Sequence, residues 1–542
     1  MDRSHWTLKE KIGQLFIVAF GGEEMTQELE KAIADWNVGG VILFQRNLRD
    51  TKKVIELNAA IQNVAKKYNR PPLWISIDQE GGGISYLWDG MVLSPGNMVL
   101  GAGKSSENAY RAAHIMGTQL KQLGFNMNFA PVMDINNNPK NPVIGARSFS
   151  ESPEEVSELA IQTIHGYHHA GMLAVGKHFP GHGDTEFDSH LSLPVVDKSL
   201  QALEAFELIP FQRAVQNGME AVMTAHIVYP QLDKELPATL SSFFLKELLR
   251  KKYQFDGLII TDSMEMDAIA QYFGREEGSL RAIQAGADII LACGKDVESQ
   301  EKMVNAVVAG VETGQINVGS IEESLSRVLR MKEEWINKDE LDNLEHINID
   351  KIPKHEYKET MMQIALEGIT LQVDNKGYLP IPSFLKRSCQ IISQRSYNDG
   401  SYMGDRTSIV KEVFTTDGYD VTYIQGENPT TDEVEQLSKN VESGEYVLVF
   451  INERRKLHEN WTALVEGFCA KTDRVIVVSL WNPQIVEHLP KEIAAYITSY
   501  SYTDQTLYAL KELLEGSHAF KGQSPVTLLE QGSLSTSERA NR

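Results

Sequence analysis

Up to about residue 330 the chain repeats one pattern: a short apolar run, then a longer stretch in which apolar and polar residues alternate with helical spacing. The apolar runs lie at 15–20, 40–44, 73–77, 126–132, 173–175, 221–225, 258–261 and 289–292, and helical stretches such as 107–123 and 203–217 separate several of them. Runs this short, rich in Val, Ile and Leu, read as buried strands, and the intervening periodicity reads as amphipathic helix. Eight such strands separated by helices predict a closed parallel (β/α)8 barrel of the TIM type rather than an open sheet. The barrel also predicts where polar residues should gather, because active sites of this architecture lie at the C-terminal ends of the strands. They gather there: Asp78-Gln79-Glu80 follows one run, and Asp134, Lys177-His178, His226 and Asp262 follow others.

From 331 to 357 the pattern becomes charged and irregular. Beyond it come further strand-like runs at 390–392, 421–424, 446–451, 475–480 and 495–499, with helical segments at 432–441 and 462–471. The expected organisation is a catalytic barrel over 1–335, a linker over 336–357 and a smaller α/β sandwich domain over 358–542, with a frayed tail after Leu529.

Composition narrows the function. The 542 residues are 42% hydrophobic and 23% charged, as in a soluble globular enzyme. A net charge of −22 without a basic block argues against nucleic acid as a partner. The N-terminus lacks the apolar run of a signal peptide, and no stretch approaches the roughly 18 apolar residues of a membrane span, so a cytoplasmic location is expected. Three scattered cysteines, Cys293, Cys389 and Cys469, suggest neither a disulfide framework nor a zinc site. No cofactor fingerprint is present, and none is expected to be needed.

The chemistry is concentrated in Lys177-His178-Phe179-Pro180-Gly181-His182-Gly183-Asp184, followed by Asp188-Ser189-His190, and in Thr261-Asp262-Ser263 at a strand end. A carboxylate at a rigid strand tip suits the nucleophile of a retaining glycosidase, which also needs a group that first gives and later takes a proton. Asp262 fits the first role; its rival reading is the N-cap of a helix over 264–272. His190 fits the second, with Asp188 orienting the ring and stabilising its protonated form. The glycines of 181–183 place this pair on a loop. A metal site built from His178, His182, Asp184 and His190 is the competing reading, opposed by the positive charge of Lys177 and by a spacing that matches no helical ligand face.

These motifs resemble those of the β-N-acetylglucosaminidases of glycoside hydrolase family 3. The resemblance extends to residues 8–15 (Leu-Lys-Glu-Lys-Ile-Gly-Gln-Leu), to Gly39–Phe44, to Ile77–Gly82, to Met223–His226 and to Pro237–Ser241. It implies Asp262 as nucleophile and His190 as acid/base with Asp188 as its partner. It further implies that Asp78, Arg147, Lys177 and His178 hold the terminal sugar, for which charge-assisted hydrogen bonds are suited. A buried ion pair between Arg147 and Asp78 is the blander alternative, and His226 reads equally as support for the site or as a packed barrel residue. The implied activity is exo-acting removal of terminal GlcNAc from muropeptides or chitin fragments, by a monomer or homodimer with a carbohydrate as its only partner. A phosphorylase, a β-glycosidase with altered sugar preference and a non-catalytic sugar binder are the alternatives. The segments 367–372 and 379–381 resemble the opening strand of the extra domain of some family members, whose expected role here is to frame the cleft.

One departure stands out. After Asp-Gln-Glu-Gly-Gly the family continues Gly-Gly-x-Val-x-Arg, whereas here Gly82-Gly83-Ile84-Ser85 leads to Tyr86. A phenol does not replace a guanidinium fork. The sugar pocket therefore loses a fixed positive charge unless Arg46, Arg147 or an arginine of the second domain supplies it.

Overall fold

The computed structural model describes residues 3–185, 193–341, 343–344, 354–398 and 405–530. The first half is a parallel barrel. Its strands are β1 (Phe16–Val18), β2 (Gly40–Ile42), β3 (Trp74–Ile77), β4 (Met127–Asn128), a two-part β5 (Leu173–Ala174 and Gly176–Phe179), β6 (Ala221–Thr224), β7 (Leu258–Ser263) and β8 (Ile289–Ala292). The first part of β5 pairs with β4 and the second part with β6, and a Val132–Lys177 bridge carries the ladder across the break. The remaining pairs run β4–β3–β2–β1–β8–β7–β6, so eight staves form the ring. Phe16, Ile17, Val18, Val41, Ile42, Leu258, Ile259 and Ile260 are fully buried or nearly so. Strands covered by helices outside and packed side chains inside are apolar along their length, hence the unbroken runs in the sequence.

Two sequence expectations needed adjustment. The run at 173–175 continues as a strand through Phe179; Lys177 and His178 lie within it, and their polarity interrupts the apolar pattern without ending the strand. The helix expected over 203–217 is two pieces, Leu200–Glu204 and Ile209–Gln216, with Pro210 in the first turn of the second. Proline lacks an N–H and is tolerated only near a helix start, so the chain turns between them.

The outer helices are started by side chains that cover their free N–H groups: Ser105 for Ser106–Gln122, Ser152 for Pro153–His169 and Asn317 for Val318–Trp335. Among the described residues, no helix is long and apolar enough to cross a membrane.

The second half holds a six-stranded mixed sheet: β9 (Thr370–Asp374), β10 (Cys389–Gln394), β11 (Asp420–Ile424), β12 (Tyr446–Ile451), β13 (Val475–Ser479) and β14 (Ala495–Thr498). The order is β9-β14-β13-β12-β10-β11, with only β9 antiparallel to its neighbour. A helix, Lys354–Gly368, leads into it and packs against both the barrel helix Asn97–Gly103 and the C-terminal helix Asp504–Glu515. The contact with the barrel is close: a Cβ on Gly368 would lie 2.2 Å from the Val99 carbonyl oxygen. Asn108 donates to Glu367 at 2.7 Å across the same seam.

Candidate active site

Directly after β3 the chain folds into a tight ribbon, Gln79–Gly81 against Ile84–Ser85. Gly81 and Gly82 have φ of 93° and 56°, a region that glycine enters without steric cost. The Gln79 side chain locks the ribbon, accepting from the Tyr86 and Leu87 backbone and donating to the Leu87 carbonyl. Asp78 and Glu80 thereby flank the locked Gln79 on the strand that leads into the turn.

Glu80 is the hub. Arg147, delivered by the turn Gly145–Arg147, donates to it through Nε at 3.0 Å and Nη2 at 2.8 Å. Lys177 Nζ lies 2.7 Å from the same carboxylate and 2.6 Å from Asp78. Burial alone would raise the Glu80 carboxyl, but the charges of Arg147 and Lys177 outweigh it and hold it at about 2. Lys177 is raised for the complementary reason: burial works against its charge, and Asp78 and Glu80 overcome it. The Arg147–Asp78 pair of the blander alternative is not formed; Arg147 pairs with Glu80 and Asp78 with Lys177.

A second carboxylate, Asp134, organises the start of the glycine loop. It accepts from His178 Nδ1 at 2.7 Å, from the His178 backbone N–H and from the His182 backbone N–H at 2.7 Å. Its carboxyl is held below the usual range, burial opposing and the His178 imidazole prevailing. His182 is buried, and burial together with the neighbouring His178 lowers it to about 4, so its ring is neutral at pH 7. Thr185 Oγ1 meets His182 Nδ1 at 2.9 Å, and Lys198 holds Asp184 at 2.6 Å. Of the residues of the metal reading, His178, His182 and Asp184 are thus engaged by other side chains. Asp188 and His190 lie outside the described residues.

Across the mouth, β7 carries Asp262, partly exposed at its end. The helix-cap reading does not hold: the following helix is Asp267–Ala270, with Met266 at its N-cap, and Asp262 Oδ1 accepts from the next residue, Ser263, at 2.6 Å. His226, fully buried after β6, meets the Ser263 carbonyl oxygen through Nε2 at 2.9 Å and Thr239 through Nδ1 at 2.8 Å. A carbonyl only accepts, so Nε2 carries the proton and ties the Asp262 end of β7 to β6. Cys293, after β8, is raised mainly by burial, and it lies within electrostatic reach of Asp78, Asp262 and Arg46.

The second sheet completes the rim. Trp481 after β13 and Tyr502 after β14 press onto the Gly81–Gly83 turn: a Cβ on Gly83 would lie 2.1 Å from the Trp481 ring and 2.8 Å from the Tyr502 hydroxyl. Trp88 stacks on Tyr502 at 5.8 Å with an 8° interplanar angle, and Arg454 lies 4.4 Å over Trp481. Glu80, Arg147, Trp481 and Tyr500 line one small cavity between the two sheets.

The structure thus joins Asp78, Arg147, Lys177 and His178 in one network and sets Asp262 at the mouth of the same barrel. Sequence reasoning did not single out Glu80, Asp134, Trp481 and Tyr502. The first two carried the strand-end signal but no mark of their burial, and the aromatics belong to a distant segment.

A closed parallel barrel with a strand-tip carboxylate and a buried charged network at its C-terminal mouth fits a barrel enzyme of the glycoside hydrolase kind. The chain belongs to glycosyl hydrolase family 3, whose N-terminal domain model matches residues 7–331. It is 34% identical over 376 residues to Beta-hexosaminidase A of Pseudoalteromonas piscicida, a match covering 65% of this chain and 62% of that protein. Its fold superposes on a family 3 beta-N-acetylglucosaminidase from Paenibacillus sp. str. FPU-7 with a TM-score of 0.87 at 36% identity, covering 96% and 99% of the two chains. It is also similar to the beta-glucoside phosphorylase BglX, with a TM-score of 0.81 at 25% identity over 96% and 94%.

Proposed function

We propose that this glycoside hydrolase is a retaining exo-β-N-acetylglucosaminidase that releases terminal GlcNAc from muropeptides or chitin fragments in the cytoplasm. The observation that carries the reading is Asp262 at the tip of β7, in the same barrel mouth as the Asp78–Lys177–Glu80–Arg147 network. The Asp262 carboxylate attacks the anomeric carbon as the bond to the leaving oxygen breaks, and His190 gives its proton to that oxygen. Water then attacks the glycosyl-Asp262 ester, His190 takes the water proton, and the carboxylate is released. Asp188 stabilises the charged imidazole before the first step and after the second, and orients the neutral ring between them. Asp78, Arg147, Lys177 and His178 bind sugar hydroxyls. The likeness to the Paenibacillus enzyme and to beta-hexosaminidases supports the choice of GlcNAc.

A second reading, phosphorolysis, is favoured by the likeness to beta-glucoside phosphorylase. A neutral histidine base repels phosphate less than a carboxylate would. The test of both is release of p-nitrophenol from the β-N-acetylglucosaminide, the β-glucoside and the β-glucosaminide, with and without phosphate. Turnover of the N-acetyl substrate alone, independent of phosphate, is the expected outcome. A sugar 1-phosphate product would show that phosphate replaces water as acceptor, and no turnover of any of the three would overturn the assignment.

A further inference from the structure

Resting on the reading of this mouth as a sugar pocket, we propose that Arg46 is a specificity-determining residue there, donating to an uncharged oxygen of the terminal sugar between Asp78 and Asp262.

Topology places it there. Arg46 follows β2, and its Nε donates to the Phe20 carbonyl, after β1, at 3.1 Å while Nη2 donates to the Cys293 carbonyl, after β8, at 3.3 Å. Asp78 follows β3, the neighbour of β2, and Asp262 ends β7, the neighbour of β8. The guanidinium therefore occupies the arc of the mouth that joins the two aspartates.

Its partners are unusual for a cation in this position. Among the described residues Arg46 forms no ion pair, whereas Arg147 is held in a fork by Glu80, Lys177 bridges Asp78 and Glu80, and Arg454 lies over Trp481. Arg46 is half-buried, has Phe44 4.4 Å from its centre and spends two of five N–H donors on carbonyls. Burial lowers its basicity without a carboxylate to compensate. A desolvated guanidinium with donors to spare at the mouth of a sugar site gains most from an oxygen acceptor brought by the ligand. Tyr86, where the family pattern has arginine, is buried with its ring edge-on to the same Phe44 at 5.4 Å. Of Arg46, Arg147 and Arg454, Arg46 is the one that neither a carboxylate nor an indole holds.

The test uses the full chain and compares wild type with Arg46→Gln and Arg46→Lys. On p-nitrophenyl β-N-acetylglucosaminide, Arg46→Gln is expected to raise KM about tenfold with little change in kcat, the mark of lost ground-state and transition-state binding alike. Arg46→Lys is expected to fall between the two, because it keeps the charge but not the fork. Free GlcNAc is expected to raise the Tm of wild type and to lose most of that effect on Arg46→Gln. A greater loss of the Tm rise given by GlcNAc than of that given by glucose assigns the contact to the acetamido carbonyl, and equal losses assign it to a hydroxyl. A KM within twofold of wild type overturns the proposal. So does a fall in activity with the Tm rise by GlcNAc undiminished, which makes Arg46 a brace between strand ends. Wild type that turns over no substrate overturns the activity reading, while the GlcNAc shift still tests Arg46.

Discussion

At the scale of single residues, the site contrasts one partly exposed carboxylate with others that are buried. Asp262 is partly exposed, while Glu80 and Asp134 are buried and saturated with donors. Their variants should therefore fail differently. Asp262→Asn removes the nucleophile without removing a buried ion pair: kcat is expected to drop by about three orders of magnitude or more with Tm nearly unchanged. Glu80→Gln leaves Arg147 and Lys177 with one anion fewer in a buried network. It is expected to cost about 3 kcal/mol of stability and to raise KM together. The pH dependence has a definite sign. The Glu80 carboxyl sits at about 2 against an ordinary 4.5, so its contribution is complete above 4.5 and is lost as pH falls towards 2. The Tm gap between wild type and Glu80→Gln should close over that interval. His182, at about 4 against 6.5, is a base kept neutral by the fold: the unfolded chain binds its proton first, so stability is complete above 6.5 and declines down to 4. His168, also lowered to about 4 by burial, adds to the same window. His182→Asn should therefore flatten the decline without abolishing it.

At the scale of elements, the apolar runs foretold the barrel because parallel strands buried on both faces have no polar positions to confuse the pattern. The pattern weakened where function intrudes. Lys177 and His178 made the second part of β5 look like loop, although its backbone pairs with β6 at Gly176 and Phe179, with a register shift between those two points that spans Lys177 and His178. Asp78, Lys177 and His178 were legible because each follows a predicted strand, whereas Arg147 was reached only through the family resemblance. The burial of Glu80 was not legible, since a charged side chain in the sequence gives no sign that two cations will enclose it. The Gly81–Gly83 turn shows the same limit. Gly81 and Gly82 need their backbone freedom, but Gly83 has no positive φ and is required only by space. Gly83→Ala should therefore act through Trp481: with 2.1 Å between the new methyl and the ring, the second sheet must withdraw from the turn. Lower Tm and higher KM are expected together, and relief of both by a simultaneous Trp481→Leu would trace the effect to that contact.

At the scale of the whole molecule, two sheets point the C-terminal ends of their parallel strands at one cleft: the barrel supplies charged groups, and β12, β13 and β14 lead to Arg454, Trp481 and Tyr502. Open α/β sheets commonly bind ligands beyond those ends, so the second domain has turned its own binding edge into part of the barrel's wall. The family resemblance led to the expectation that the second domain frames the cleft, but not to the residues that do so, because contact between residues 83 and 481 is a product of folding alone. It has a thermodynamic consequence. The buried apolar residues of the barrel and the half of the second sheet facing it form one contiguous cluster that includes Tyr86, Leu87, Trp481 and Tyr502. Units sharing a core unfold together, whereas units joined by a polar interface unfold separately. Wild type should show a single calorimetric transition. Trp481→Ala empties the centre of the seam, at a cost of about 3–5 kcal/mol if the site does not collapse. If that indole couples the two halves, the variant will resolve into two transitions, and the one that moves down most will carry the loss of GlcNAc-dependent stabilisation. A single transition merely shifted to lower temperature would mean that the helix Lys354–Gly368, wedged between the barrel and the C-terminal helix, carries the coupling instead.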